Sequence, residues 1–247
     1  MTIADERAAG TGTSHGVWAL LRKDLQVFDA RDAAIVLGAY LLLAAQIGRW
    51  DEGAFWLGVV LAGALVVAVP FAEWLFDAER LLGSLPVRRA TVVLARYAAA
   101  LAGCGAAAVV WIASGRLLAP LLAPHRTGPA MWDTLEGVLA FLVVATGLVA
   151  IFLPLYFRLA LGRAALAFGP VCLVLLAVSS AVVPASGAAA PAGVPLSPPS
   201  EIIHLGVEAL VARAGPVPAV VLTVAGLGAM LAVSGWLSLR GFERRDL

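Results

Sequence analysis

"GVLAFLVVATGLVAIFLPLYF", residues 137–157, runs for 21 residues without one charged side chain. A helix needs about 20 consecutive apolar residues to cross a hydrocarbon core roughly 30 Å thick. The same condition is met, or nearly met, five more times. Charge-free runs cover 33–48, 53–72, 97–115, 164–200 and 214–239. The first is short, but Asp32 and Arg49 at its ends can snorkel to the interface. The run 164–200 is too long for one helix, and its second half, "PASGAAAPAGVPLSPPS" (184–200), is rich in Pro, Gly and Ser and reads as an irregular loop. A span from about 164 to 183 remains, so six helices is the simplest count.

Composition agrees. The chain has 247 residues, 62% of them hydrophobic and 13% charged, against about 25% charged in a soluble domain. So few charges cannot coat a globule of this size, and lipid must face most of the surface. A net charge of +1 gives no reason to expect a nucleic-acid partner. Cys104 and Cys172 both fall in apolar runs, which is neither a disulfide framework nor a metal spacing; both read as small buried hydrophobes. The first 31 residues mix acids and bases with no long apolar core, so no cleavable signal peptide is expected and the first span itself should direct insertion.

Arg and Lys in the short loops orient the spans. With both termini on one side, that side holds Arg7, Arg22, Lys23, Arg31, Arg80, Arg88, Arg89, Arg96, Arg158, Arg163, Arg240, Arg244 and Arg245. The other side holds Arg49, Arg116, Arg126 and Arg213. The bias places both termini in the cytoplasm. Trp50, Trp56 and Trp132 towards the outside, with Trp74 and Trp236 towards the inside, then read as interfacial belts.

Two segments read as helices that do not span. In "HGVWALLRKDLQVFDARD" (15–32), Val17, Leu20, Leu21, Leu25 and Phe28 recur at helical spacing, with Arg22, Lys23, Gln26 and Asp29 on other faces. This predicts a helix lying along the inner membrane surface; the alternative is an extension of the first span. In "PPSEIIHLGVEALVARAGP" (198–216), Ser200 suits an N-cap, and Glu201 complements the start of the helix dipole. Ile203, Val207, Leu210 and Val211 form one stripe, and Gly215-Pro216 ends the helix. Such a helix either dips into the membrane or lies loosely on the surface.

Catalytic chemistry finds little support. His15, His125 and His204 all fall outside the expected spans, and the chain contains neither HExxH nor GxSxG. The segment "IASG" (112–115) lacks the first glycine of the latter. Glu73 and Asp77 share a helix face at i,i+4 but have no histidine nearby. The centres of the six expected spans carry no ionisable residue, which disfavours an ion-coupled carrier. A P-loop is excluded, because the single lysine, Lys23, stands in "LLRKDL" without glycines. If ATP powers this protein, the ATPase is another polypeptide.

Four segments together resemble the ABC-2 type permeases, the membrane subunits of ATP-binding-cassette exporters, in their short six-span bacterial form. "LLRKDLQVFDARD" (20–32) is similar to the family's basic interfacial helix before the first span. "ERLLGSLPVRRATVVLARY" (79–97) resembles its signature after the second span, an L-x-S-L-P run followed by basic residues and a helix. "YFRLALGRAALAF" (156–168) resembles its tight basic turn between the fourth and fifth spans, and "SLRGFERRDL" (238–247) its charged tail.

The resemblance implies an all-α integral membrane protein with six transmembrane helices, an N-terminal interfacial amphipathic helix and a short external helix before the last span. The cytoplasmic N-terminus covers 1–31, the six-span domain 32–240 and the tail 241–247. The spans lie at about 32–48, 53–76, 92–115, 135–157, 164–183 and 216–239. The resemblance also implies a multi-pass protein of the cell (inner) membrane, paired with a second permease copy or paralogue and with cytosolic ATPase subunits. ATP and Mg would bind in those subunits and no cofactor in this chain. The ATPase-coupling segment carried over is Glu79, Arg80, Gly83, Ser84, Leu85, Pro86, Val87, Arg88 and Arg89. Gly83 and Ser84 suit the end of one helix and Pro86 the first turn of the next, which makes a compact elbow. Arg88 and Arg89 suit acids on an ATPase or anionic lipid headgroups equally well. The interfacial helix presents Leu21, Arg22, Lys23, Leu25 and Phe28. Two alternatives stand beside the permease: a non-transporting membrane scaffold or assembly factor, and an intramembrane hydrolase.

Overall fold

The computed structural model describes residues 35–42, 50–75, 88–122, 131–185 and 199–244, and every regular element among them is an α-helix. We label them α1 (35–42), α2 (Trp50–Leu75), α3 (Arg89–Leu122), α4 (Leu135–Ala185), α5 (Pro199–Ala214) and α6 (Pro216–Glu243). Four stretches among the described residues are long and apolar enough to cross a membrane: Phe55–Glu73, Arg89–Leu117, Leu135–Leu159 and Pro216–Glu243. Helices are the form to expect, because in lipid each backbone N–H and C=O must find its partner within its own segment.

At 51 residues, α4 is more than twice the length that a bilayer needs. It folds back on itself. Phe152 and Phe168 are sixteen residues apart, which on a straight helix is about 24 Å, yet their rings meet edge to face with centroids 5.4 Å apart. The chain therefore reverses around 157–164. The sequence suggests a turn separating two helices there. The helical pattern instead continues through Arg158 and Arg163, keeping backbone groups paired where leaving them open would be costly.

Several boundaries differ from expectation. The third apolar run ends at Gly115, whereas α3 continues to Leu122. The described helix after the second span starts at Arg89, and Pro86 lies outside the described residues. Arg88 is its cap, its carbonyl accepting the Thr91 and Val92 amides at 2.9 and 3.4 Å. At the start of α4, the Thr134 hydroxyl accepts the Gly137 amide at 3.1 Å and Glu136 lies in the first turn. Ser200 lies inside α5, which begins at Pro199. Gly215 separates α5 from α6 with a φ of 85°, a conformation that suits glycine, and Pro216 opens α6.

Small residues let the helices approach. On α3 the buried positions Val93, Tyr97, Ala100, Cys104, Ala107 and Trp111 recur every three or four residues, one seam of a helix. A side chain at Gly103 would put its Cβ 3.1 Å from that of Leu65 on α2. Cys104 is buried and its thiol donates to the Ala145 carbonyl of α4 at 3.6 Å. Near the far end from the C-terminus, Trp111 stacks on Phe141 at 4.8 Å, and Phe55 meets both rings edge-on. Gly58 makes room for this group, since a Cβ there would lie 2.9 Å from Phe141. Trp132 packs over Gly115 and is only 2% exposed, so it is a core residue and not part of an interfacial belt. Ser114 donates to its own helix at the Trp111 carbonyl and accepts from Tyr40 of α1, the ordinary bonding of a structural serine.

Candidate functional site

The last turn of any α-helix leaves carbonyls without intrahelical donors, at the negative end of the helix dipole. At the end of α6 those carbonyls are held by Arg89, the first residue of α3. Its Nη1 donates to the Phe242 and Glu243 carbonyls, both at 3.1 Å. Its guanidinium also lies 5.5 Å from the Phe242 ring centroid, within cation–π range. Phe242 in turn packs on Phe157, at the α4 reversal, with ring centroids 5.4 Å apart. One side chain, directly following the 76–88 segment, thus joins α3, the end of α6 and, through Phe242, the bend of α4.

About two turns further along α3, two neighbouring residues reach in different directions. Arg96 is 3% exposed and forms an ion pair with Glu73 of α2, itself 5% exposed. The Tyr156 hydroxyl of α4 donates to the second oxygen of the same carboxylate at 3.2 Å. Burying either charge alone would be prohibitive, and the pair with its hydrogen bonds makes the burial tolerable. Glu73 therefore clamps three helices. Asp77, its expected partner in a carboxylate pair, lies outside the described residues.

Tyr97 points towards α6 and meets Ser234 and Ser238, at 2.5 and 2.8 Å. The Ser234 hydroxyl donates its one hydrogen to the Ala150 carbonyl of α4 at 2.7 Å. Ser234 must then accept from Tyr97, which leaves the Tyr97 oxygen to accept from Ser238. The hydrogen bonds run in one direction, Ser238 to Tyr97 to Ser234 to Ala150, from α6 to α3, back to α6 and on to α4. Ser234, Ser238 and Phe242 recur every four residues, so all of these contacts use one face of α6.

Of the residues singled out in the sequence, Arg88 and Arg89 are exposed at the start of α3. Glu79, Arg80, Gly83, Ser84, Leu85, Pro86 and Val87 lie outside the described residues, as do Leu21, Arg22, Lys23, Leu25 and Phe28. Glu73, Arg96, Tyr97, Tyr156, Ser234, Ser238 and Phe242 are contributions that sequence reasoning did not assign. A signal was present for two of them. Glu73 and Arg96 are opposite charges at matching depths of consecutive spans, and each would be costly to bury without a partner. The hydroxyls carried no signal, because serine and tyrosine are common at helix contacts in membranes.

The arrangement is mechanical. Three connections, one exposed staple and two buried clusters, fix the N-terminal half of α3 against α2, α4 and α6. Arg89, Arg158, Arg240 and Arg244 gather at this end, where Arg158 faces Gly241. At the opposite end Arg116 pairs with Asp133 at 3.0 Å on the surface, an interaction worth little in water.

No curated protein and no solved structure matches the chain. The family model described as ABC-2 family transporter protein matches residues 20–242, nearly the whole length. With that match, and with four described helices long and apolar enough to cross a membrane, the chain belongs to the ABC-2 family of transporters, as a membrane permease of an ABC system.

Proposed function

We propose that the chain is the membrane-spanning subunit of an ATP-binding-cassette exporter, driven by separate cytosolic ATPase subunits that bind ATP and Mg. It crosses the inner membrane six times with both termini in the cytoplasm, and works with a second permease copy or a paralogue. The ATPases act on the elbow at 79–89, and their closure gives alternating access. The interfacial helix around Leu21–Phe28 and the segment 199–214 lie on opposite sides of the bilayer.

The observation that carries this reading is the Arg89 staple. The residue that ends the elbow is bonded to the last turn of α6, so displacement of the elbow pulls on α3 and α6 together. Gathering of arginines at that end supports its cytoplasmic placement. The final span is only 11% buried in its most apolar window, which leaves a face for lipid or a second permease.

The test replaces Leu85–Arg89 with a Gly-Ser linker and compares ATPase recruitment with membrane insertion. Normal insertion with lost ATP-dependent transport supports the elbow as the receiver of force. Inverted topology with normal coupling assigns the arginines to orientation alone. Purified complexes that retain no ATPase and move no substrate with ATP would instead support the scaffold reading.

A further inference from the structure

Between the bend of α4 and the last two turns of α6 lies a cavity of about 450 Å³, lined by Arg158, Trp236, Leu237, Arg240, Gly241 and Arg244. None of these six is acidic. Among the described residues none of the three arginines is paired with a carboxylate, although burying or crowding like charges near a low-dielectric slab is unfavourable. Trp236, Arg240 and Arg244 stand four residues apart, so one face of α6 carries them all into the cavity. The Arg240 guanidinium is already held, 4.0 Å above the Trp236 ring centroid. The two walls lie close at Gly241, where an added Cβ would meet Arg158 Cβ at 3.4 Å, an ordinary contact distance.

Polarity changes along the axis of the site. Arg240 and Arg244 lie towards the end of α6. Leu237, Trp236 and Val233, on the membrane side, are 47%, 50% and 60% exposed. Guanidiniums above exposed apolar side chains match a molecule with an anionic phosphate above acyl chains. We propose that this cavity binds the headgroup of an anionic phospholipid, its phosphate between Arg158, Arg240 and Arg244 and its chains along Val233 and Leu237. The bound lipid bridges the α4 bend and the α6 terminus, beside the Arg89 staple, and steadies the end of the bundle. The site requires only that α6 lies in a bilayer, so it stands or falls separately from an ATPase partner.

The experiment is native mass spectrometry of the full-length protein in micelles, titrated with dioleoyl phosphatidylglycerol or dioleoyl phosphatidylcholine. One phosphatidylglycerol should be retained with a preference of roughly tenfold or more, as expected for three basic groups at an anionic headgroup. Arg158→Gln, Arg240→Gln and Arg244→Gln combined should reduce the preference to within about twofold, by the same charge argument. Arg213→Gln, in α5, should leave it unchanged. Arg244→Gln alone, at an exposed position, should give an intermediate loss and keeps the test decisive if the triple variant does not fold. Equal retention of the two lipids by the native protein, or an undiminished preference in the triple or single variant, would overturn the site. Inorganic phosphate at millimolar concentration separates the sources. If it displaces the phosphatidylglycerol one for one, the cavity is a free-anion site and the lipid assignment fails.

Discussion

Glu73→Gln replaces a buried carboxylate with a neutral group of nearly the same shape, and leaves Arg96 charged at 3% exposure. Breaking a buried ion pair by removing one partner typically costs about 3–5 kcal/mol, most of it from the charge left behind. The Tyr156 bond to Glu73 survives in weaker form, since an amide oxygen still accepts. We therefore expect about 3 kcal/mol for Glu73→Gln and a similar loss for Arg96→Met. In the double variant neither charge remains, so its loss should stay close to that of one single variant. The double loss should fall short of the summed singles by about 2–3 kcal/mol, within the range seen for directly coupled residues. The assay is equilibrium unfolding of the full chain in mixed lipid–detergent micelles, with all four members of the cycle measured together. Single variants costing below about 1 kcal/mol, or a strictly additive double, would refute the clamp. They would mean that the two side chains reach water and do not depend on each other.

Arg89→Gln should free the last turn of α6. Losing two part-screened bonds to carbonyls and a cation–π contact amounts to about 1–2 kcal/mol, so amide exchange at 240–243 should quicken roughly tenfold. Arg89→Lys should recover part of this protection, since it keeps the charge without the fork. Gly115→Ala would place a Cβ 2.5 Å from the Trp132 ring, which is fully enclosed; thermal unfolding should show a loss of about 1–3 kcal/mol. Tyr97→Phe removes the middle of the directed hydroxyl chain. We expect a loss near 1 kcal/mol in the same measurement, shared with Ser234→Ala and not additive to it.

The helical class, the apolar runs and the arginine asymmetry were all legible in the sequence. Each depends on one dominant penalty, that of placing charge or unpaired backbone in hydrocarbon, and local composition reports it. The Gly215-Pro216 stop was legible as well, because only local backbone preference is involved. The reversal of α4 was legible in place but not in form. Composition reveals that two spans must be joined near Arg158, and does not reveal that the helical hydrogen bonds continue through the join.

Which face of each helix is buried was another matter. In water an apolar stripe marks the core, but along α3 the exposed Leu94, Leu101 and Val109 are as apolar as the buried Val93, Ala100 and Ala107. With lipid on one side and protein on the other, hydrophobicity does not separate the two faces, and side-chain size at the helix contacts decides instead. For the same reason Trp132 looked like a belt residue when its site is the pocket over Gly115. The sequence by itself determined that this chain lives in a membrane and which end is basic. Only the tertiary structure decided that Arg89 would hold the end of α6, that Arg96 would find Glu73, and that Arg158, Arg240 and Arg244 would share one cavity. Those pairings join residues far apart in the chain through directional bonds and close helix approach, and neither leaves a trace in local composition.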